Sequence, residues 1–157
     1  MPGSSGKAGQ SKPTGGRYNS RIKKGEFMKK FFNITSHVMT ETQIADAKAS
    51  LGIDEVVSMS DDLKKIWGQV PPSADTVGVK GHIQPVLDWL EAQVSVGDYC
   101  MVAGSRTAVA FVDLQIRSKA YVVESCTERK VREVQNPDGT VVKTAVFEHI
   151  RYRIVPM

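Results

Sequence analysis

Short apolar, β-branched runs alternate along this chain with segments of helical periodicity, and that alternation narrows the fold more than any other feature. The runs are Lys30–Ser36 (KFFNITS), Ile53–Met59 (IDEVVSM), Asp98–Ala103 (DYCMVA) and Ala120–Ser125 (AYVVES). Strands separated by helices predict an α/β domain, a mainly parallel sheet wound in right-handed crossovers and flanked by helices. The first helix is the best specified. Thr40 and Gln43 fit a capping box, Met39 and Ile44 a hydrophobic staple, and Ile44, Ala47, Lys48 and Leu51 keep helical spacing until Gly52 supplies a C-cap. Ser60 starts a short helix with Leu63, Ile66 and Trp67 on one side, stopped by Pro71-Pro72. A further helix is expected from about His82 to Val94, with Pro85 in its first turn, and another after Gly104-Ser105 with Ala108, Val109, Val112 and Ile116 inward. Val131–Val134 and Val141–Ile154 flank Asn136-Pro137-Asp138-Gly139, which predicts a C-terminal antiparallel hairpin.

Charge divides the chain in two. Residues 1–27 hold Lys7, Lys12, Arg17, Arg21, Lys23 and Lys24 against Glu26 alone, and are rich in Gly, Ser and Pro without apolar periodicity. They read as a disordered leader. Lys24–Met28 can be encoded by a purine-rich AAGGAG a few bases before an ATG, like a translated ribosome-binding site, so Met28 is the expected natural start of a single domain over 28–157. That domain carries fifteen basic and sixteen acidic side chains. A broad footprint for long duplex nucleic acid is therefore not expected, and any polyanion it holds should be small. No stretch reaches the roughly 18 apolar residues of a membrane-spanning helix. Cys100 and Cys126 form no CxxC pair and no metal spacing with histidine, so no metal or other cofactor is expected and a reducing cytoplasm is the expected compartment.

Ligands of open α/β sheets bind beyond the carboxyl ends of the strands. Three loops are expected to meet there: Thr35-Ser36-His37, Gly104-Ser105-Arg106, and Ser125-Cys126-Thr127 with Arg129. Gly104-Ser105 could seat a phosphate on the free N–H groups of the next helix, or simply make the turn and cap that helix. There is no GxGxxG and no Walker lysine, which argues against ordinary dinucleotide and nucleoside-triphosphate sites. His37 could act as a general base or acid, or be a solvent-facing loop residue. His82 reads as a helix-start residue and His149 as one member of an alternating strand face. A Cys126–His37 nucleophilic pair ranks lower. Arg129, Arg151 and Arg153 could clamp phosphate, or the last two could be a solvated face.

Taken in order, Thr35-Ser36-His37, TETQIADAK, LKKIWGQVPP, GDYCMVAG, SCTER and the PDG hairpin closing in FEHIRYR resemble the ring nuclease group of small type III CRISPR-associated accessory proteins, Rossmann-like and CARF-related. The resemblance spans Phe31 to Arg153. It departs at Ala103, where a glutamine is common, at Ser105-Arg106, in place of an acidic-aromatic pair, and at Cys126-Thr127, in place of two threonines. It implies metal-independent cleavage of cyclic oligoadenylate, chiefly the four-membered ring, to linear products ending in a 2′,3′-cyclic phosphate, which switches off type III signalling. It also implies a homodimer with the ring across the two-fold axis. Catalytic roles would fall to Ser36 or His37 for orientation or proton transfer and to Arg129 for charge stabilisation. The Gly104 and Ser105 N–H groups and Arg106 would bind phosphate, with Thr35, Ser125, Cys126 and Thr127 also contacting the ligand. The alternatives are a module of the same fold that sequesters or senses the ring without cutting it, and an adaptor that pairs a partner with the exposed hairpin strand.

Overall fold

The computed structural model describes residues 28–156, so the expectation for the leader lies outside the described residues. In chain order the elements are β1 (Lys30–Ile34), α1 (Glu41–Leu51), β2 (Glu55–Ser58), α2 (Asp61–Gly68), α3 (Thr76–His82), α4 (Gln84–Gln93), β3 (Tyr99–Val102), α5 (Arg106–Ile116), β4 (Tyr121–Gln135) and β5 (Val141–Ile154). They build an α/β domain around a five-stranded sheet of order β2-β1-β3-β4-β5. The first four strands are parallel, and β5 joins β4 antiparallel.

Successive residues of the inner strands point to opposite faces, and both faces are apolar, as a sheet covered on two sides requires. Phe32, Ile34, Cys100 and Val122 face α2, α3, α4 and α5, packing on Trp67, Val79, Leu87, Leu90 and Val112. Phe31, Met101, Val123 and Tyr152 face α1 and pack on Ala47, Ile44 and Leu51. Burial in the larger core pushes the Cys100 thiol far above its usual range, so it stays a neutral packing group. Asp98 is buried at the opening of β3, where its carboxylate accepts from the Lys30 and Ser95 backbone N–H groups at 3.0 and 2.8 Å.

The first helix forms as its sequence dictates: Thr40 Oγ1 accepts from Gln43 N at 3.1 Å, Gln43 Oε1 accepts from Thr40 N at 2.9 Å, and Gly52 ends the helix in the left-handed region at φ 66°. The helix expected from about His82 to Val94 forms as α4, with Pro85 in its first turn, but a helix not expected, α3, precedes it and meets it at Ile83; Pro85 has no N–H to give the Gly81 carbonyl, so the two do not run together. The earlier one, α3, is capped by Asp75, whose carboxylate accepts from Gly78 N at 2.8 Å. His82 ends it, with Nε2 2.8 Å from the Ile66 carbonyl, a bond that ties α3 to α2.

One expectation needs correction, at the end of β4. Ser125, Cys126, Thr127 and Arg129 are not a loop: the strand runs unbroken to Gln135, paired rung by rung with β5 as far as Gln135–Val141. The two strands bond to one another beyond the reach of the parallel sheet, which ends on β3 at Val102. The ribbon closes at the expected turn, where Asn136 N donates to Thr140 O at 2.7 Å and Gly139 takes φ 89°.

Candidate functional site

Strand order reverses between β1 and β3, because β2 lies on the far side of β1 and β4 on the far side of β3. The connections leave those two strands in opposite directions and open a crevice beyond their carboxyl ends. A cleft of about 350 Å³ lies there, walled by Thr35, His37, Val38 and Met39 after β1, Gln43 of α1, Met101–Ala103 at the end of β3, and Glu124, Ser125 and Thr127 on β4.

The first wall is shaped from within β1. Asn33 is fully buried, yet it is satisfied by the loop it folds: Nδ2 donates to the His37 carbonyl at 2.8 Å, and Oδ1 accepts from Thr35 Oγ1 at 2.7 Å. Thr35 Oγ1 in turn accepts from His37 N at 3.2 Å. The Thr35 hydroxyl is thus committed to bending the loop, while the His37 side chain stays exposed at the mouth of the cleft. Ser36 turns away, with Cβ 3.3 Å from where a side chain on Gly68 would begin.

The Gly104 turn has its own structural cause. A Cβ there would stand 2.8 Å from Trp67 Nε1, and that nitrogen donates to the Ala103 carbonyl at 2.8 Å. The indole fills the space a side chain would need. Ser105 begins α5 without a side-chain cap bond, which leaves the first-turn N–H groups open beside the cleft, next to exposed Arg106.

On the α1 side a chain of hydrogen bonds crosses from helix to hairpin. Its polarity follows from the capping box. Thr40 N can only donate, so the Gln43 atom it meets is Oε1 and the other amide atom is Nε2, a donor. Gln43 Nε2 lies 3.2 Å from Ser125 Oγ, which therefore accepts from it. His149 Nε2 lies 2.7 Å from Asp46 Oδ2 and carries the hydrogen that the carboxylate accepts, and in the neutral imidazole Nδ1 then accepts from the Ser125 hydroxyl, 2.6 Å away. Ser50 Oγ also donates to Asp46. His149 is 2% exposed at its side chain, its ring packed 4.4 Å from that of Tyr152 at a tilt of 48°, and the Tyr152 hydroxyl donates to the Gln43 carbonyl at 2.9 Å.

His149 reaches this place through a β-bulge. Register along the ribbon pairs Cys126 with Arg151 but Thr127 with His149, so Ile150 is an extra residue on β5. The inserted residue shifts the alternation by one and turns His149 to the α1 face, where Ser125 and Tyr152 also point. A second cleft of about 340 Å³ adjoins the first, sharing Gln43 and Thr127 and bounded by Thr40, Thr42 and Phe147 through His149.

The hydrogen bond from Ser50, then that from His149, holds the Asp46 carboxyl below the usual carboxylate range. A carboxyl whose folded value is depressed stabilises the fold above its unfolded value, and that contribution is lost as pH falls through the folded value. Asp46→Asn should therefore flatten the acid limb of stability. Urea midpoints measured from neutral pH down to the carboxylate range should converge for the two proteins at the acid end; a constant offset would show that Asp46 does not titrate with folding.

Thr35, His37, Ser125 and Thr127 line the cleft, whereas Ser36, Cys126 and Arg129 do not; Gly104, Ser105 and Arg106 follow directly on its Ala103 edge. Cys126 alternates with Ser125 to the opposite face, so the cleft does not bring it to His37. Nor do the three arginines form a clamp. Arg153 is paired with Glu124 at 2.8 Å, Arg151 sits across from Cys126 on the face opposite Ser125, and Arg129, across from Phe147, stands on the Ser125 face two positions beyond Thr127, outside the cleft lining. Asp46 and His149 were missed as site residues: Asp46 looked like one polar position of an amphipathic helix, and no spacing links residues 103 apart in sequence. Among the described residues, no group of three His, Cys, Asp or Glu side chains could hold a metal ion, and no helix is long and apolar enough to cross a membrane.

An α/β domain with a cleft of mixed polar and apolar lining where strand order reverses is the class of protein that fold and site define. The chain belongs to the uncharacterized protein MJ1673 family, whose model matches residues 29–153, the β1-to-β5 body with its hairpin. A relative, uncharacterized protein MJ1673 of Methanocaldococcus jannaschii, is 28% identical over 127 residues, 80% of this chain and 96% of its own length. No solved structure matches the chain.

Proposed function

We propose that this chain is a Rossmann-like, CARF-related ring nuclease of the cytoplasm that opens cyclic oligoadenylate without metal, cyclic tetra-adenylate before other rings. The observation that carries the reading is the cleft at the reversal of strand order. Its walls bring a histidine, a serine hydroxyl and the edge of an uncapped helix start to one concave surface. The nearly neutral body suits a small polyanion held by a few placed groups rather than a long duplex. In this mechanism the 2′-OH attacks the adjacent phosphorus in line and the 5′-oxygen leaves, so the protein's work is alignment, charge stabilisation and proton transfer. His37 at the mouth and the N–H groups after Gly104 stand where they could meet phosphate. Arg129 would reach the ring from the ribbon, on the face that carries Thr127.

A homodimer belongs to the same proposal. The ribbon is two strands wide and extends beyond the sheet, and ribbons of that kind are marginal alone. Val131, Ala145 and Phe147 form an apolar patch on its α1-side face, with Val131 57% and Phe147 69% exposed. A second copy covering that patch would also enlarge the cleft.

Incubating the protein with labelled cyclic tetra-adenylate tests the reading: a linear product supports cleavage, and a gel shift with the ring intact supports the binding-only alternative. A ring left both uncut and unshifted would refute the ligand class. Arg129→Ala should weaken handling of the ring more than Arg117→Ala, which alters a solvent-facing residue at the end of α5. Equal effects of the two in a binding titration would remove Arg129 from the site.

A further inference from the structure

Ser125 lies half-buried on the wall of the main cleft, beside the space where a ligand would sit. Its hydrogen points the other way. The capping box fixes Gln43 Nε2 as donor to Oγ, the Nε2–H of His149 donates to a carboxylate, and in that neutral tautomer Nδ1 accepts the Ser125 hydroxyl hydrogen. A serine backed by an imidazole that is backed by an aspartate is an arrangement in which the oxygen can gain a proton from one side while losing one on the other. Here the two ring nitrogens have exchanged partners, Nδ1 facing serine and Nε2 facing aspartate, and the proton path is the same.

We propose that Ser125 is a catalytic residue of this cleft, and that His149 and Asp46 are the positioning pair that makes its oxygen a proton acceptor for a substrate hydroxyl. This deepens the ring-nuclease reading and rests on it for the identity of that hydroxyl, the 2′-OH. The 2′-OH proton passes to Ser125 Oγ as the serine proton passes to His149 Nδ1. The 2′-oxygen forms its bond to phosphorus while the bond from phosphorus to the 5′-oxygen breaks, and the departing oxygen takes a proton from water. The hydroxide so formed recovers the proton from the imidazolium by way of Ser125, so the net change is an isomerisation of ring to linear cyclic phosphate. Asp46 holds the imidazole in the required tautomer and offsets its charge while protonated.

A purely structural bridge between α1 and the hairpin would use the same bonds, so the test separates the two roles. The full chain is compared with Ser125→Ala, His149→Gln and Asp46→Asn. Binding is read with the 2′-O-methyl cyclic tetra-adenylate, cutting with the native ring in single turnover, and folding by thermal melting. A proton acceptor contributes about 100- to 10,000-fold, so each variant should bind within a small factor of the parent and cut slower by about 100-fold or more. His149→Gln or Ser125→Ala cutting at the parent rate while folded would overturn the proposal and leave the ring reading standing. A second readout needs no ring. A fluorophosphonate should label Ser125 of the parent, Oγ displacing fluoride from phosphorus and its proton going to His149, and should fail on His149→Gln. If the parent neither binds nor cuts the ring, the ring reading fails and the labelling alone decides the serine: label on Ser125 that depends on His149 sustains it, and its absence overturns it.

Discussion

A cyclic tetra-adenylate in which every 2′-oxygen is methylated is expected to bind this protein and remain uncut. The nucleophile in the proposed mechanism is supplied by the ligand, and a well-oriented internal nucleophile acts at an effective concentration on the order of 10⁵ M or more. Blocking it removes the reaction path itself rather than one contribution to it, so the loss should exceed that of any single substitution in the cleft. Phosphate contacts to the turn after β3 and to Arg129 do not involve the 2′-oxygen, and binding should stay near that of the native ring. Single-turnover assays beside a binding titration read both quantities. Cutting of the methylated ring would mean that the nucleophile comes from the protein or from water.

The largest loss of stability is expected from Trp67→Ala. Trp67 is 2% exposed in the larger core, its indole N–H holds the Ala103 carbonyl at 2.8 Å, and its ring occupies the space beside Gly104. Truncating a buried tryptophan costs about 3–5 kcal/mol through lost apolar transfer and the cavity left behind. Domains of this size are stable by about 5–15 kcal/mol, so the variant should be close to unfolded at modest denaturant. Because the same indole fixes the end of β3, Trp67→Phe should keep most of the stability and still loosen the Ala103 edge of the cleft. Guanidinium unfolding of the three proteins checks this, and a loss under 1 kcal/mol for Trp67→Ala would show the pocket around the indole to be far more adaptable than its contacts imply.

The parts of the fold that could be read in advance are those written in local chemistry. The capping box at Thr40 and Gln43, the glycine at 52 and the Asn136–Gly139 turn each act over a few residues, and each stands where expected. Helix α3 was hidden because Gly78 and Gly81 weaken its pattern, although Asp75 was a usable cap signal. The nearer part of the hairpin, around the middle of β4, was harder. Its residues are exposed on both faces, so the alternation that betrays a half-buried strand is missing between Cys126 and Lys130, and a polar strand looked like a loop. The bulge at Ile150 lies beyond any local rule. Without it His149 would point away from α1, and the Ser125–His149–Asp46 contact, the most consequential feature of the site, would not exist. Ser125 itself was singled out from its strand-end position, while its partners became visible only once helix and hairpin were brought together.

The chemistry is tested most directly by mass spectrometry of the material formed from cyclic tetra-adenylate in excess EDTA. Attack by the 2′-OH moves bonds without adding atoms, so the first linear product should have the same mass as the ring, end in a 2′,3′-cyclic phosphate and appear at the same rate with or without chelator. A first product heavier by one water, or a reaction that EDTA stops, would contradict metal-independent cleavage by the ligand's own hydroxyl.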